Sequence, residues 1–136
     1  MNYLWFSHQH CYGAGENVVR MRIRILPPSG PPFTLRAVLD TGAAISYFDR
    51  ALLPSLGIAD VTTGRPIDLR AANGERSTGY VHPVDIEFIG HPMTIPIAFC
   101  PDWQEGTDNL LGMEGFFEQI RAAFEHRARR FYHAIH

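Results

Sequence analysis

The stretch Phe33-Thr34-Leu35-Arg36-Ala37-Val38-Leu39-Asp40-Thr41-Gly42-Ala43 decides how the rest of the chain reads. An apolar run that ends in an acid, a hydroxyl and a glycine puts a carboxylate at a strand end, where a tight turn can present it for chemistry. The chain carries one such segment. Hydrolysing an amide without a metal or a covalent intermediate needs two carboxylates, one to take a proton from water and one to deliver a proton to the carbonyl oxygen. The simplest source of the second is another copy of the same chain.

Working outward, Val19, Met21, Ile23 and Ile25 alternate with Arg20, Arg22 and Arg24, the period of a half-buried strand. Four prolines within residues 27–32 remove backbone donors and fix φ, so this segment cannot continue a sheet; it forms a hairpin loop and residues 33–39 are the return strand that carries Asp40. Ala43, Ala44, Ile45, Tyr47 and Phe48 predict another short strand, followed by a helical turn over residues 49–56 that Gly57 stops. Residues 67–72 and 77–81 flank Asn73-Gly74, a dipeptide suited to the positive φ angles of a tight hairpin turn. Pro83 is expected to interrupt, after which Val84, Ile86 and Phe88 alternate with Asp85 and Glu87. Gly90-His91-Pro92 then turns the chain into residues 93–99. Residues 101–109 read as loop, Leu110-Leu111-Gly112 as an apolar segment, and residues 114–120 as a short helix. The tail from 121 to 135 fits a helical stripe and a strand pair alike.

Composition narrows the function. At 136 residues with 46% hydrophobic content, the chain has the size and apolar supply of one domain. A formal net charge of -2 argues against a nucleic-acid partner, which would call for a cationic excess. All 12 basic residues are Arg, which removes lysine nucleophiles and Schiff bases from the list of mechanisms. Cys11 and Cys100 are too few for a disulfide scaffold and form no Cys-x-x-Cys pair, so both are expected to be reduced. The apolar patch at residues 3–6 has no basic stretch before it, and no window approaches the roughly 18 to 20 apolar residues of a membrane helix. A soluble, cytoplasmic protein with no membrane partner is the expectation.

In order and in content, these segments resemble the retropepsin-like aspartic proteases, the single-domain, retroviral-type branch of the pepsin clan. The resemblance runs from the Val19 strand through Asp40-Thr41-Gly42-Ala43, the Asn73-Gly74 hairpin where such enzymes carry their flap, and Leu110-Leu111-Gly112. A lone Asp-Thr-Gly arises by chance in roughly a few per cent of chains this long, so its ordered companion far downstream carries the weight. The resemblance implies an all-β, mostly antiparallel acid-protease half-barrel with a flap hairpin and one short helix. It divides the chain into an N-terminal extension, 1–16, and a protease domain, 17–136, and it favours a hairpin over a helix in the tail.

The same resemblance assigns roles. Asp40 is the catalytic carboxylate, meeting its counterpart across a two-fold axis in an obligate homodimer with a water between them. Thr41 reaches across the axis, Gly42 lets its amide approach the carboxylate, and Gly112 lets the Leu110-Leu111 segment pack beside the Asp40 loop. Asn73 and Gly74 tip a flap that closes over an extended peptide, and Ile45, Phe48 and Ile97 are expected to wall the substrate pockets. No cofactor is needed. Met113-Glu114 replaces the Arg usual after this glycine in retroviral enzymes, as in bacterial and cellular relatives. The alternative is a catalytically silent dimeric module of the same fold that binds peptides without cleaving them.

The remaining candidates read more plainly as structure. His8, His10 and Cys11 lack a fourth ligand at a recognisable spacing, so no metal site is assigned. Cys100 has no sequence context that would lower a thiol pKa and reads as buried. Asp102, Glu105 and Asp108 lack calcium-loop spacing. The histidines at 82, 91, 126, 133 and 136 have no Ser or Cys nucleophile in reach of their sequence context.

Two carboxyl groups in contact cannot both ionise, so the pair holds a shared proton between two macroscopic pKa values. Ala43 stands where many two-lobed relatives carry a hydroxyl that bonds the carboxylate, and one donor fewer stabilises the charged form less. The expected pH–rate profile therefore has a mildly acidic optimum; an optimum like that of pepsin, with the pair fully ionised at about pH 5, would contradict it.

Overall fold

Strict alternation of side chains is what the backbone obeys first. In the computed structural model, which describes residues 3–13, 15–71 and 73–136, Ile23 and Ile25 are buried while Arg22 and Arg24 are exposed. The strands are β1 (His8–Cys11), β2 (Arg20–Ile25), β3 (Phe33–Leu39), β4 (Ser46–Tyr47) and β5 (Arg65–Arg70). They continue as β6 (Arg76–Phe88), β7 (His91–Phe99), β8 (Leu110–Leu111), β9 (Ile120–Glu125) and β10 (Arg130–Ile135). Helical structure among the described residues is confined to 3-10 turns of three residues each, so the chain is all-β as expected.

One sheet has the order β2-β3-β8-β4-β7-β6-β5, and β2 also pairs with β6. That extra pairing, Arg24 with Glu87 and Ile25 with Ile86, closes the expected half-barrel into a six-stranded ring. Closure removes sheet edges from everything except β5, which continues outward from β6. The ring is filled by Ile25, Phe48, Ile86, Phe88, Ile95 and Ile97, each fully buried. A second sheet, β1-β10-β9, lies against the same core through Phe131 and Ile120.

Several expectations need correction. Pro83, expected to interrupt, sits inside β6 directly opposite Pro96. Neither residue has an N–H, so they share a slot where ladder bonds are not exchanged. On its other side β6 is between partners there, because β5 pairing ends at Val81 and β2 pairing begins at Ile86. The turn before β7 is made by Ile89 and Gly90, with φ of 48° and 78°, and His91 and Pro92 already belong to the strand. Two positive φ angles define the twist-matched two-residue hairpin turn. Ile89 is an unfavourable occupant, held there by packing its side chain on the core.

The strand expected over 67–72 is β5, two residues earlier, and the position Ala72 lies outside the described residues. At the tip, the Ala71 amide donates to the Glu75 carbonyl at 2.8 Å and the Gly74 amide to the Ala71 carbonyl at 2.9 Å. Gly74, with φ of 86°, takes the left-handed position, and the Asn73 side chain accepts from the Glu75 amide. This is a wider loop than the two-residue turn expected from Asn-Gly.

The short helix expected over 114–120 is not formed. Glu114 bridges to Ile45, and a single 3-10 turn, Phe117–Gln119, follows. Gly115 has φ of 84°, and a Cβ there would lie 2.3 Å from Pro96 Cδ, so the chain turns against β7 instead of coiling. The tail forms the hairpin β9–β10, with Phe131 and His133 turned inward and Arg129 in the left-handed turn.

Candidate active site

β3 ends in Asp40 because β8 runs parallel beside it, pairing Leu110 with Val38 and Leu111 with Leu39. The Val38 amide donates to the Asn109 carbonyl at 2.7 Å and the Asp40 amide to the Leu111 carbonyl at 2.9 Å. The chain then turns on itself: the Ala43 amide donates to the Asp40 carbonyl at 3.1 Å, and the Gly42 amide to Asp40 Oδ1 at 2.9 Å. A charge-assisted bond from a backbone amide holds the carboxylate in one rotamer without using a second side chain. Asp40 is half-buried and Thr41 and Gly42 are exposed, so the loop opens to solvent.

The other face of this loop is clamped. β8 lies between β3 and β4, and its continuation gives Met113 N–H to the Ala43 carbonyl at 2.9 Å and Glu114 N–H to the Ala44 carbonyl at 3.0 Å. Between them the Gly112 amide donates to the Ser46 hydroxyl at 3.0 Å. A Cβ on Gly112 would stand 2.6 Å from the backbone of Ile45 and 2.8 Å from the Ala43 oxygen. Only glycine fits. Ser46, fully buried, was missed from sequence; its signal is a lone small hydroxyl between Ile45 and Tyr47 in an apolar run.

Beside this loop lies a cleft of about 460 Å³, lined by Gly42 to Ile45, Tyr47, Ile67, Leu69, Trp103 and Leu110. Of the expected pocket walls, Ile45 is here, but Phe48 and Ile97 are 0% exposed in the core. Strand alternation explains the correction: Ile45 and Tyr47 face the cleft, whereas Ser46 and Phe48 point the opposite way, and Ile97 is registered with Ser46. Asn73 and Gly74 are exposed at the hairpin tip, and the cleft wall comes from the β5 residues behind them. Leu69 turns inward over Gly79, where a Cβ would meet Leu69 Cδ1 at 2.3 Å.

Tyr47 and Trp103 were not singled out from sequence. Their rings meet at 4.9 Å, and Trp103 Nε1 donates to the Ser77 hydroxyl on β6 at 3.2 Å. The loop that carries Trp103 is pinned from beneath: Asp49 accepts from the Gly106 amide at 2.6 Å, and Arg50 Nε donates to the Trp103 carbonyl at 2.8 Å. Burial first, with Cys100 and Asp49 adding to it, pushes the Tyr47 phenol above its ordinary pKa, while Thr107 and Arg50 pull the other way. Cys100 is buried and Cys11 exposed, both free. Among the described residues no group of three His, Cys, Asp or Glu side chains is placed to hold a metal ion.

The clamp generates a prediction. Gly112→Ala should lower stability by about 1–3 kcal/mol, because backbone on both sides must shift, and should disorder the Asp40 loop. Urea denaturation with NMR of the Gly42 amide tests it, and an unchanged midpoint and resonance would refute it.

A family model described as aspartyl protease matches residues 29–114, from the proline-rich loop through β3, the Asp40 turn, the β5–β6 hairpin and Gly112. No curated protein matches the chain. The matched span takes in more than half of the sequence and every element of the clamp, and the chain belongs to the retropepsin-like aspartyl proteases.

Proposed function

We propose that the protein is an aspartic endopeptidase that works as a homodimer, each copy supplying Asp40. The observation that carries this reading is the Asp40 carboxylate itself, fixed by the Gly42 amide at 2.9 Å on an open loop that contains one acid. An acid held this rigidly at a solvent-facing turn is prepared for a partner group.

The surroundings favour a second copy as that partner. Val18, Met113 and Phe124 are large apolar side chains left 38%, 46% and 41% exposed. All three adjoin the Asp40 loop. Val18 precedes the residue whose carbonyl holds Leu39, Met113 is bonded to Ala43, and Phe124 shares a crevice with Asp40 and Thr41. β9, which carries Phe124, is the outer strand of its sheet and offers an edge beside them. Two copies facing across this collar would bury it and bring the two carboxylates together.

In that arrangement one Asp40 is ionised and the other protonated, because two adjacent carboxylates share a proton. The ionised carboxylate takes a proton from the water as its oxygen attacks the peptide carbonyl carbon. The protonated one gives its proton to the carbonyl oxygen, yielding a tetrahedral diol. The acid formed in the first step then protonates the leaving nitrogen as the carbon–nitrogen bond breaks, and the other carboxylate recovers a proton from the diol. The Gly42 amide supports the ionised form throughout. An extended peptide would lie under the β5–β6 flap by main-chain bonds, with a large apolar side chain entering the cleft that the paired rings of Tyr47 and Trp103 line. No helix of the described residues is long and apolar enough to cross a membrane; cytoplasmic residence is part of this proposal, in keeping with two free thiols.

Asp40→Asn should abolish cleavage of a random peptide library while leaving the circular dichroism spectrum unchanged, and wild-type activity per chain should rise with concentration until dimers saturate. A silent peptide-binding module would give affinity that survives Asp40→Asn and no turnover from the wild type. Trp103→Ala should cut kcat/KM for peptides with an aromatic residue at the cleavage site about tenfold or more relative to small-residue peptides. An equal loss on both sets would remove Trp103 from the pocket.

A further inference from the structure

The strand that precedes the protease domain is held by histidines. β1 lies on β10 in antiparallel register, with His8 opposite His133 and His10 opposite Phe131. The His8 and His133 rings stack at 4.6 Å, and the His10 and His133 rings at 5.2 Å. His10 Nε2 and His133 Nδ1 are 3.2 Å apart, a hydrogen bond that needs one nitrogen with its proton and one without. His133 is 1% exposed, wedged against Phe88 and Phe131, while His8 is open to solvent.

We propose that the stacked imidazoles of His8, His10 and His133 form an acid-sensitive latch that holds β1 on β10 while neutral and releases it when protonated. Neutral rings stack and share a hydrogen bond. A first proton can be shared between His10 and His133, but a second places like charges within one stack, in contact with phenyl rings that cannot solvate them.

Among the described residues, nothing facing the stack compensates that charge. On β9 the residues registered with His133 and Phe131 are Ala122 and Phe124, and behind the stack stand Phe88 and Phe116. The charged groups acting on His10 and His133 are the other histidines of the cluster. The Ser7 hydroxyl meets His8 Nδ1 at 2.8 Å and carries no charge. Arg121 reaches the Trp5 carbonyl, and Glu125 accepts from the Tyr132 hydroxyl, whose residue alternates to the opposite face from His133.

The titration runs the same way. Burial first, then His8, lowers the His10 pKa; burial, then His8 and His10, lowers that of His133 to about 4. A depressed histidine pKa means that the released strand binds protons the latched one refuses. The latch is therefore fully held above the ordinary value of 6.5 and lost as the pH falls from there toward about 4. His133 stays packed on β10 against Phe88 and Phe131 when β1 leaves, so the roughly 30-fold fall at pH 5 that full recovery of its ordinary pKa would give is the upper bound of its share.

The latch reaches the Asp40 face. β1 continues into Tyr12, which lines the crevice with Asp40, Thr41 and Phe124 and bonds the His126 ring through its hydroxyl at 2.9 Å. Releasing β1 withdraws the neighbour of Tyr12, so acid acts on the surface where a second copy is proposed to dock. The latch itself stands on β1–β10 geometry and is independent of whether the protein cleaves peptides.

Hydrogen exchange at residues 8–11, corrected for the intrinsic pH dependence and measured in the Asp40→Asn chain to exclude self-cleavage, tests it. Protection of these amides should fall several-fold, by up to roughly 30-fold, between about pH 7.5 and pH 5, while β6 and β7 stay protected. His133→Phe, which keeps an aromatic ring in the same packing, should hold β1 across that range. Protection in the unsubstituted strand that does not change with pH, or an equal fall in His133→Phe, overturns the latch. Should His133→Phe fail to fold, the double variant His8→Gln/His10→Gln carries the test: a smaller fall supports the latch and an unchanged one overturns it.

Discussion

The close approach of Gly112 to the backbone of Ala43 and Ile45 is the contact on which the site depends. Because no Cβ intervenes, β8 can thread between β3 and β4 and bond both strands at once. That threading fixes the loop from Asp40 to Ile45 at its two ends, through the Leu111 carbonyl at one and the Met113 and Glu114 amides at the other. A carboxylate on a surface turn would ordinarily sample several rotamers. Here the turn cannot widen, so the Gly42 amide stays within 2.9 Å of Oδ1. Rigidity of this kind is what a catalytic group needs, since the cost of ordering it has already been met by folding.

The barrel gives the clamp its stiffness. The Ser46 hydroxyl accepts from the Gly112 amide and the Ser46 backbone pairs with β7, so the same two-residue strand joins the Asp40 loop to the closed ring. Tyr47 turns the other way and begins the cleft. A single alternation thus separates three tasks within four residues: Ile45 and Tyr47 meet the cleft, Ser46 satisfies a buried amide, and Phe48 fills the core. The loop carrying Trp103 is tied to the same region through Asp49 and Arg50, which makes the cleft wall an extension of the site rather than a separate surface loop.

What could be read from sequence follows from what is local. The alternation from Val19 to Ile25, the proline loop, the return strand and its terminal Asp40 are set by neighbours in the chain, and each lies where the residues put it. The packing of Gly112 beside the Asp40 loop came from the family resemblance, and the contact it makes is with the backbone of Ala43 and Ile45. The pocket walls were not legible, because whether Phe48 or Tyr47 faces the cleft depends on which face of a two-residue strand meets the core, and both are aromatic. The helix over 114–120 failed for a similar reason: its apolar spacing suits a helix, but Gly115 lies against Pro96, nineteen residues back in the chain. Pro83 misled because a proline ends a strand only if a donor is required, and the pairing with Pro96 requires none.

Proton supply links the two ends of the molecule. The proposed pair of Asp40 carboxylates would work only while it retains one proton, so its activity would fade as the pH rises past the upper of the two macroscopic values. The proposed histidine latch would respond in the opposite sense, losing its grip on β1 as the pH falls. Tyr12 connects them, because it follows β1 directly and borders the same crevice as Asp40 and Thr41. On these two proposals, the conditions that prepare the carboxylates are those that loosen the strand leading to Tyr12. A fold that needed β1 for its core could not tolerate this. Here β1 adds to the outer edge of the three-stranded sheet and the ring closes without it, so the strand can respond to pH while the Gly112 clamp does not.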